Sequence, residues 1–169
     1  MTARDIQRAI LLDRYHNQTV FPNFTPSGWF ECDVFCLSRS NYWTEFEIKI
    51  SRADFRADAA KAPEISEVSN GQWVTRKGES KHQRLARADQ TGPCRFFFVT
   101  PAGMIEPAEV PDWAGLVHAH QSTHRVYLGI VKDAPRLHQS KANPQHLTDI
   151  HTAAYWRFIR SIVTSKSVS

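Results

Sequence analysis

Cysteine is scarce in this chain. Its 169 residues include three, Cys32, Cys36 and Cys94. That is an odd number with no Cys-x-x-Cys spacing, so neither a disulfide framework nor a common structural zinc site is on offer. The three read as buried thiols of a protein in a reducing cytoplasm. Long apolar runs are missing as well. No stretch approaches the roughly 18 residues of a membrane span, and Met1-Thr2-Ala3-Arg4-Asp5 opens an amphipathic pattern in place of a signal peptide. A cytoplasmic protein without a membrane partner is the expectation. There is no internal repeat, which sets aside solenoids and arrays. Charge of one sign is not abundant: the net charge of +4 and pI near 9.1 are compatible with a nucleic-acid partner without demanding one.

What is present is the material of a core. A hydrophobic fraction of 41% and an aromatic fraction of 11% exclude a disordered chain, and the length suits one domain over 1–169. Residues 3–16 have helical spacing. Val20-Phe21-Pro22-Asn23-Phe24 is a short, proline-interrupted edge strand. Strands are expected at about 29–37 and 42–50, with turn chemistry in Ser38-Arg39-Ser40-Asn41 between them. Ser51-Arg52-Ala53-Asp54 has the form of a helix start, and Pro63 limits that helix. Residues 62–80 are a polar excursion with one apolar point, Trp73-Val74, and a tight-turn dipeptide, Asn70-Gly71, suited to a small hairpin. A helix follows from Lys81. Cys94 to Thr100 reads as a strand buried on both faces. Two more strands, 115–120 and 125–131, precede a loop. The closing helix, 144–163, places Leu147, Ile150, Ala154, Phe158, Ile159 and Ile162 on one face. The fold class is α/β or α+β, a mixed central sheet flanked by helices.

The stretch around which this organises itself is Trp43 to Ile50. Phe46, Ile48 and Ile50 alternate with Glu45, Glu47 and Lys49, so one face is apolar and the other charged. Asp33 precedes Glu47 by fourteen residues. A hairpin brings their carboxylates together, an arrangement that repels unless a cation lies between.

Asp33 followed by Glu47-x-Lys49 at the end of a hairpin resembles the motif of the PD-(D/E)XK nuclease superfamily. Glu47 to Asp58, Arg95 to Gly103 and Trp113 to Val117 extend the likeness to the MmcB-like DNA-repair branch and its phage and bacterial relatives. It covers roughly residues 29–61 and 81–138, and Cys32 stands where proline commonly precedes the aspartate. The resemblance implies a restriction-endonuclease-like sheet, with 62–80 as an insertion. It also implies a Mg2+- or Mn2+-dependent nuclease acting on DNA, in repair or processing. Asp33, Glu47 and the backbone carbonyl of Ile48 would hold the metal. Lys49 would orient or help deprotonate the water.

Other readings stand beside this one. The same Glu-x-Lys pair suits a solvated strand, and the fold also serves modules that bind DNA or protein without cutting. RNA is a less expected substrate, and a homodimer is an open assembly. Glu45, on the same strand face as Glu47, could support the metal ligands from behind, but the exposed reading is favoured. Asp5 or Asp13 could match an extra acid of the superfamily, although a solvated helix face explains them better. Ser51 reads as a cap, with Asp54 and Asp58 as structural support. Arg76, Lys77, Lys81, His82 and Arg84 concentrate positive charge that could track phosphates, or form a solvated face. Trp73 is expected to anchor its loop to the core. His118-x-His120 with His124 invites zinc, but no Cys or carboxylate stands at ligand spacing.

Overall fold

The computed structural model describes residues 1–69 and 72–164. Helix α1 (Ala3–Arg14) is followed by β1 (Gln18–Phe24), β2 (Cys32–Ser38), β3 (Trp43–Ile48), α2 (Arg52–Asp58), β4 (Glu64–Ser69), β5 (Gln72–Lys77), α3 (Lys81–Ala86), β6 (Arg95–Pro101), a 3-10 turn (Pro107–Glu109), β7 (Gly115–Gln121), β8 (Val126–Lys132) and α4 (Pro144–Thr164). Six strands form one sheet in the order β1-β2-β3-β6-β7-β8. β1, β2 and β3 are an antiparallel meander; β6 lies parallel to β3 and β7 parallel to β6, and β8 returns antiparallel. This is a mixed sheet flanked by helices, the fold class expected from the element order.

The local reasons are readable. Thr2 and Asp5 form a capping box that starts α1, Thr2 Oγ1 accepting from Asp5 N and Asp5 Oδ2 from Thr2 N, which satisfies two otherwise orphaned donors. Asn41, at φ 63°, closes the β2–β3 hairpin in the left-handed region that asparagine tolerates. Ser51 caps α2 by accepting from Asp54 N at 3.1 Å.

Both faces of the sheet are covered. One carries Val34, Cys36, Phe46, Ile48, Phe97, Val99 and Val117 against Ile6 and Ile10 of α1. The other carries Phe35, Trp43, Phe96, Phe98 and Leu116 against Trp29, Leu85 and Ile150. β6 sits between β3 and β7 and is buried from Phe96 to Thr100, as its nearly continuous apolar run requires. Gly115 opens β7 because a Cβ there would lie 2.5 Å from the Phe97 ring. The three cysteines are buried and free.

Two expectations are corrected. The face of α4 read from the sequence packs at Ile150 but not along its length: Leu147 and Ile162 are exposed, and Phe158 is 63% exposed. The stripe that packs is His146, Ile150, Ala153 and Arg157, also at helical spacing. Its members meet Trp43 and Phe35 edge-on (His146), join the core (Ile150 and Ala153), and bond Asn23 O while lying over Phe21 (Arg157). Trp73 anchors nothing: it is 77% exposed on β5. The 62–80 segment is a two-stranded antiparallel sheet of β4 and β5. Asn70-Gly71, its expected turn, lies outside the described residues. Among the described residues no helix is long and apolar enough to cross a membrane.

Phe98 ties the sheet to the layer above it, contacting Phe55, Phe96, His82 and Trp113. Phe98→Ala is expected to cost about 3–5 kcal/mol by transfer and cavity formation, measured by urea unfolding. A cost below about 1 kcal/mol would mean that this layer is not fixed by Phe98.

Candidate active site

The alternation along β3 holds, but the charged face does not meet water. Glu45 is 0% exposed, Glu47 8% and Lys49 2%. They lie on the face that α2 and α3 cover, beside Phe96 and Phe98 of the neighbouring strand. The expectation that Glu45 is exposed is therefore wrong. Ile50, expected on the apolar face, falls beyond β3 and is half exposed. Strand pairing ends at Val34↔Phe46, one residue short of Asp33 and Glu47, so both carboxylates stand where the hairpin opens.

Buried charges need partners, and here they form a chain. Glu47 Oε1 accepts from Lys49 Nζ at 2.9 Å, and Lys49 Nζ also donates to Asp58 Oδ1 at 2.6 Å. Asp58 Oδ2 lies 2.8 Å from His82 Nε2, and Lys61 Nζ is 3.1 Å from Oδ1. On the other side, Lys81 Nζ donates to Glu47 Oε2 at 2.9 Å, Glu45 Oε1 at 2.7 Å and Glu31 O at 2.8 Å. Trp29 Nε1 bonds Glu45 Oε2 at 2.8 Å.

The electrostatics follow. Burial alone would lower the pKa of Lys49, but the Glu47 charge and the bonds to Asp58 and Glu47 outweigh it and hold the ammonium well above its ordinary value. Lys81 is raised in the same way, burial being overcome by Glu45 and Glu47. Burial would push Asp58 up; hydrogen bonds from His82, Lys49 and Lys61 win and hold its carboxyl well below the usual range. Glu45 goes the other way, raised by burial with Lys81 opposing.

Asp33 is the least compensated carboxylate. Its Oδ2 accepts from Ile48 N at 2.7 Å, and Gln7 of α1 fixes its backbone by donating to Asp33 O at 2.9 Å. Burial first, then the Glu47 charge, push its pKa up to about 6 against the pull of Ile48 N–H, Lys49 and Lys81. Asp33, Glu47, Asp58, Lys61 and Lys81 line a cleft of about 530 Å³ together with Phe30, Glu31, Ala62 and Pro63.

The sequence-derived residues thus divide. Asp33, Glu47 and Lys49 come together, with Ile48 touching Asp33 through its N–H. Lys81 and His82 join them from α3, in the chain of buried charges. Arg84 is turned to Asp89, Thr91 and Gly28 O and lies over Trp29. Arg76 and Lys77 are exposed on β5, where Lys77 pairs in register with Glu64 and Arg76 with Ile65. Asp5 is occupied with its cap and Asp13 with Arg14. His118 faces Ile105 O and His120 stacks on Tyr127. Sequence reading missed Gln7 and Trp29 as members of the centre. Asp58, expected as structural support, has that part: one turn beyond Asp54, it holds the Lys49 ammonium.

Among the described residues no group of three or more His, Cys, Asp or Glu side chains gathers as a metal site, because ammonium groups separate the carboxylates. Of the carboxylates lining the cleft, Asp58 is taken up by Lys49, Lys61 and His82, and Asp33 and Glu47 stand together as a pair where the hairpin opens. Hard oxygen donors of that number fit Mg2+ or Mn2+, which keep several waters and need few protein ligands. The two carboxylates lining the cleft at the open end of the hairpin are the structural observation in favour.

Fold and site together define a mixed-sheet α+β protein with a lysine–carboxylate centre at the open end of a hairpin. Among solved structures, a protein of unknown function from Silicibacter pomeroyi has this fold: TM-score 0.57 and 23% identity over 99% of this chain and 92% of the other. No family model matches the chain, and no curated protein matches it.

The raised Asp33 pKa has a consequence for stability. A carboxyl raised from 3.8 to about 6 adds stability that is complete below pH 3.8 and is lost as pH rises through 6. Asp33→Asn keeps an acceptor for Ile48 N–H and removes the charge. With chelator present it is expected to be more stable than wild type above pH 7 by about 1–3 kcal/mol, after discounting for partial exposure. The gain should vanish below pH 4. Melting temperatures from pH 3.5 to 8 test this, and a pH-independent difference would contradict it.

Proposed function

We propose that this protein is a metal-dependent deoxyribonuclease of the PD-(D/E)XK type, hydrolysing DNA phosphodiester bonds in repair or processing. The observation that carries the reading is the meeting of Asp33 and Glu47 at one cleft, with Lys49 bonded to Glu47 behind it. A bound Mg2+ or Mn2+ would neutralise the scissile phosphate and acidify a water. Asp33 and Glu47 are the side chains that would hold it.

Lys49 has a narrower part than a general base. Glu47 and Asp58 keep its ammonium charged, so it serves by orienting a water and stabilising negative charge that develops on phosphate oxygens. Asp58 fixes the direction of that ammonium, and His82 and Lys61 fix Asp58. DNA is the proposed partner. Lys77, exposed on β5, is the proposed contact to its backbone, whereas the side-chain nitrogens of Lys81 and Arg84 are engaged by the protein.

The test is incubation of plasmid, linear duplex, branched DNA and RNA with Mg2+, Mn2+ or EDTA. Cleavage should need the metal and favour DNA. Replacing Asp33, Glu47 or Lys49 with Ala should nearly abolish it, and combined replacements should add little, because residues acting as a unit are non-additive. Asp33→Asn should weaken Mn2+ binding, and the pair His118→Ala, His120→Ala should not. Cleavage by Lys49→Ala at the wild-type rate would sink the assignment. Binding of DNA without any cleavage would favour a non-cutting module.

A further inference from the structure

We infer that Lys81 is a tethered cation: its ammonium fills a three-oxygen cage at the place of a second metal ion, so the centre works with one divalent ion. This rests on the reading of Asp33 and Glu47 as that ion's site. It gives Lys81 the part of a positioning residue.

The cage is Glu31 O at 2.8 Å, Glu45 Oε1 at 2.7 Å and Glu47 Oε2 at 2.9 Å from Lys81 Nζ. Two carboxylates and a backbone carbonyl are the donors that hard divalent cations use. The three bonds use all three ammonium protons, so Lys81 has none left for a DNA phosphate while it sits there. Glu47 is shared: its Oε1 holds Lys49, its Oε2 holds Lys81, and its charge raises Asp33. Paired metal sites in phosphodiester-cleaving enzymes also share a carboxylate between neighbouring cations. The ammonium is delivered by a fixed support, since Ser80 and Gln83 form the capping box of α3 and Leu85 is buried in the core. Trp29 holds the far oxygen of Glu45, which leaves Oε1 facing Lys81. A plain surface ion pair would need neither the Glu31 carbonyl nor a second carboxylate.

Lys81→Ala empties the cage without filling it. Mn2+ binding, followed by calorimetry and by electron paramagnetic resonance of the free ion, is expected to show one ion per chain in the wild type and two in Lys81→Ala. The added ion should disappear in the double variant Lys81→Ala, Glu45→Gln, which lacks one cage carboxylate. A lysine with only a structural part would leave the count unchanged. One ion in both wild type and Lys81→Ala, or two in the wild type, overturns the inference. No ion in the wild type and one in Lys81→Ala overturns the Asp33–Glu47 site and keeps the cage; none in either overturns both. If Lys81→Ala unfolds in chelator, recovery of its melting transition by Mn2+ supports the inference, and failure of Mn2+ to restore it overturns it.

Discussion

Glu45 has no exposed surface, and a carboxylate that deep is stable only with a counter-ion. The counter-ion comes from thirty-six residues away, on α3. That pairing organises the whole face of the sheet. It brings the start of α3 down onto β3, draws Glu47 into the same ammonium, and leaves Lys49 to be held between Glu47 and Asp58. Leaving one member of a buried pair unpaired costs about 3–5 kcal/mol, comparable to removing a large core side chain. The charged face of β3 is thus as constrained as its apolar face, by charge pairing where the other is constrained by packing.

The aromatic layer supports this arrangement. Trp29 contacts Trp43 and Phe30, bonds Glu45 and lies beneath Arg84. A Cβ at Gly92 would sit 2.5 Å from its ring. Phe98 and Trp113 pack around His82, which orients Asp58. Each charged group is held by neighbours that are themselves fixed, the condition for a pre-organised site. Asp33 differs: α1 and β3 hold it by its carbonyl and by one N–H, and its charge is not cancelled. A centre built only for stability would gain by neutralising that carboxylate.

The β4–β5 unit follows another logic. Its side chains on β5 are exposed, including Trp73, Val74, Arg76 and Lys77. The second half of α4 also carries exposed Tyr155, Trp156, Phe158 and Val163.

Local chemistry gave away the elements. The two-residue alternation of 43–48, the nearly continuous apolar run of β6, the Ser51 cap and the Ser-Arg-Ser-Asn turn are short-range signals, and each element formed where they pointed. Period also revealed that Glu45, Glu47 and Lys49 share a face, and hairpin arithmetic brought Asp33 towards Glu47. Period cannot say what covers a face. Whether Glu45 meets water or Lys81 depends on where a helix thirty-six residues later lands, and Lys81 read locally is one more cation in a basic run. The same limit explains α4: two stripes at helical spacing share Ile150, and the sheet packs the one that carries His146 and Arg157 while most of the apolar one stays exposed. Sequence determined the strands, the helices and the carboxylate pair. The tertiary structure decided which charges are buried and which ammonium answers them, because those partners are neighbours in space and not in chain order.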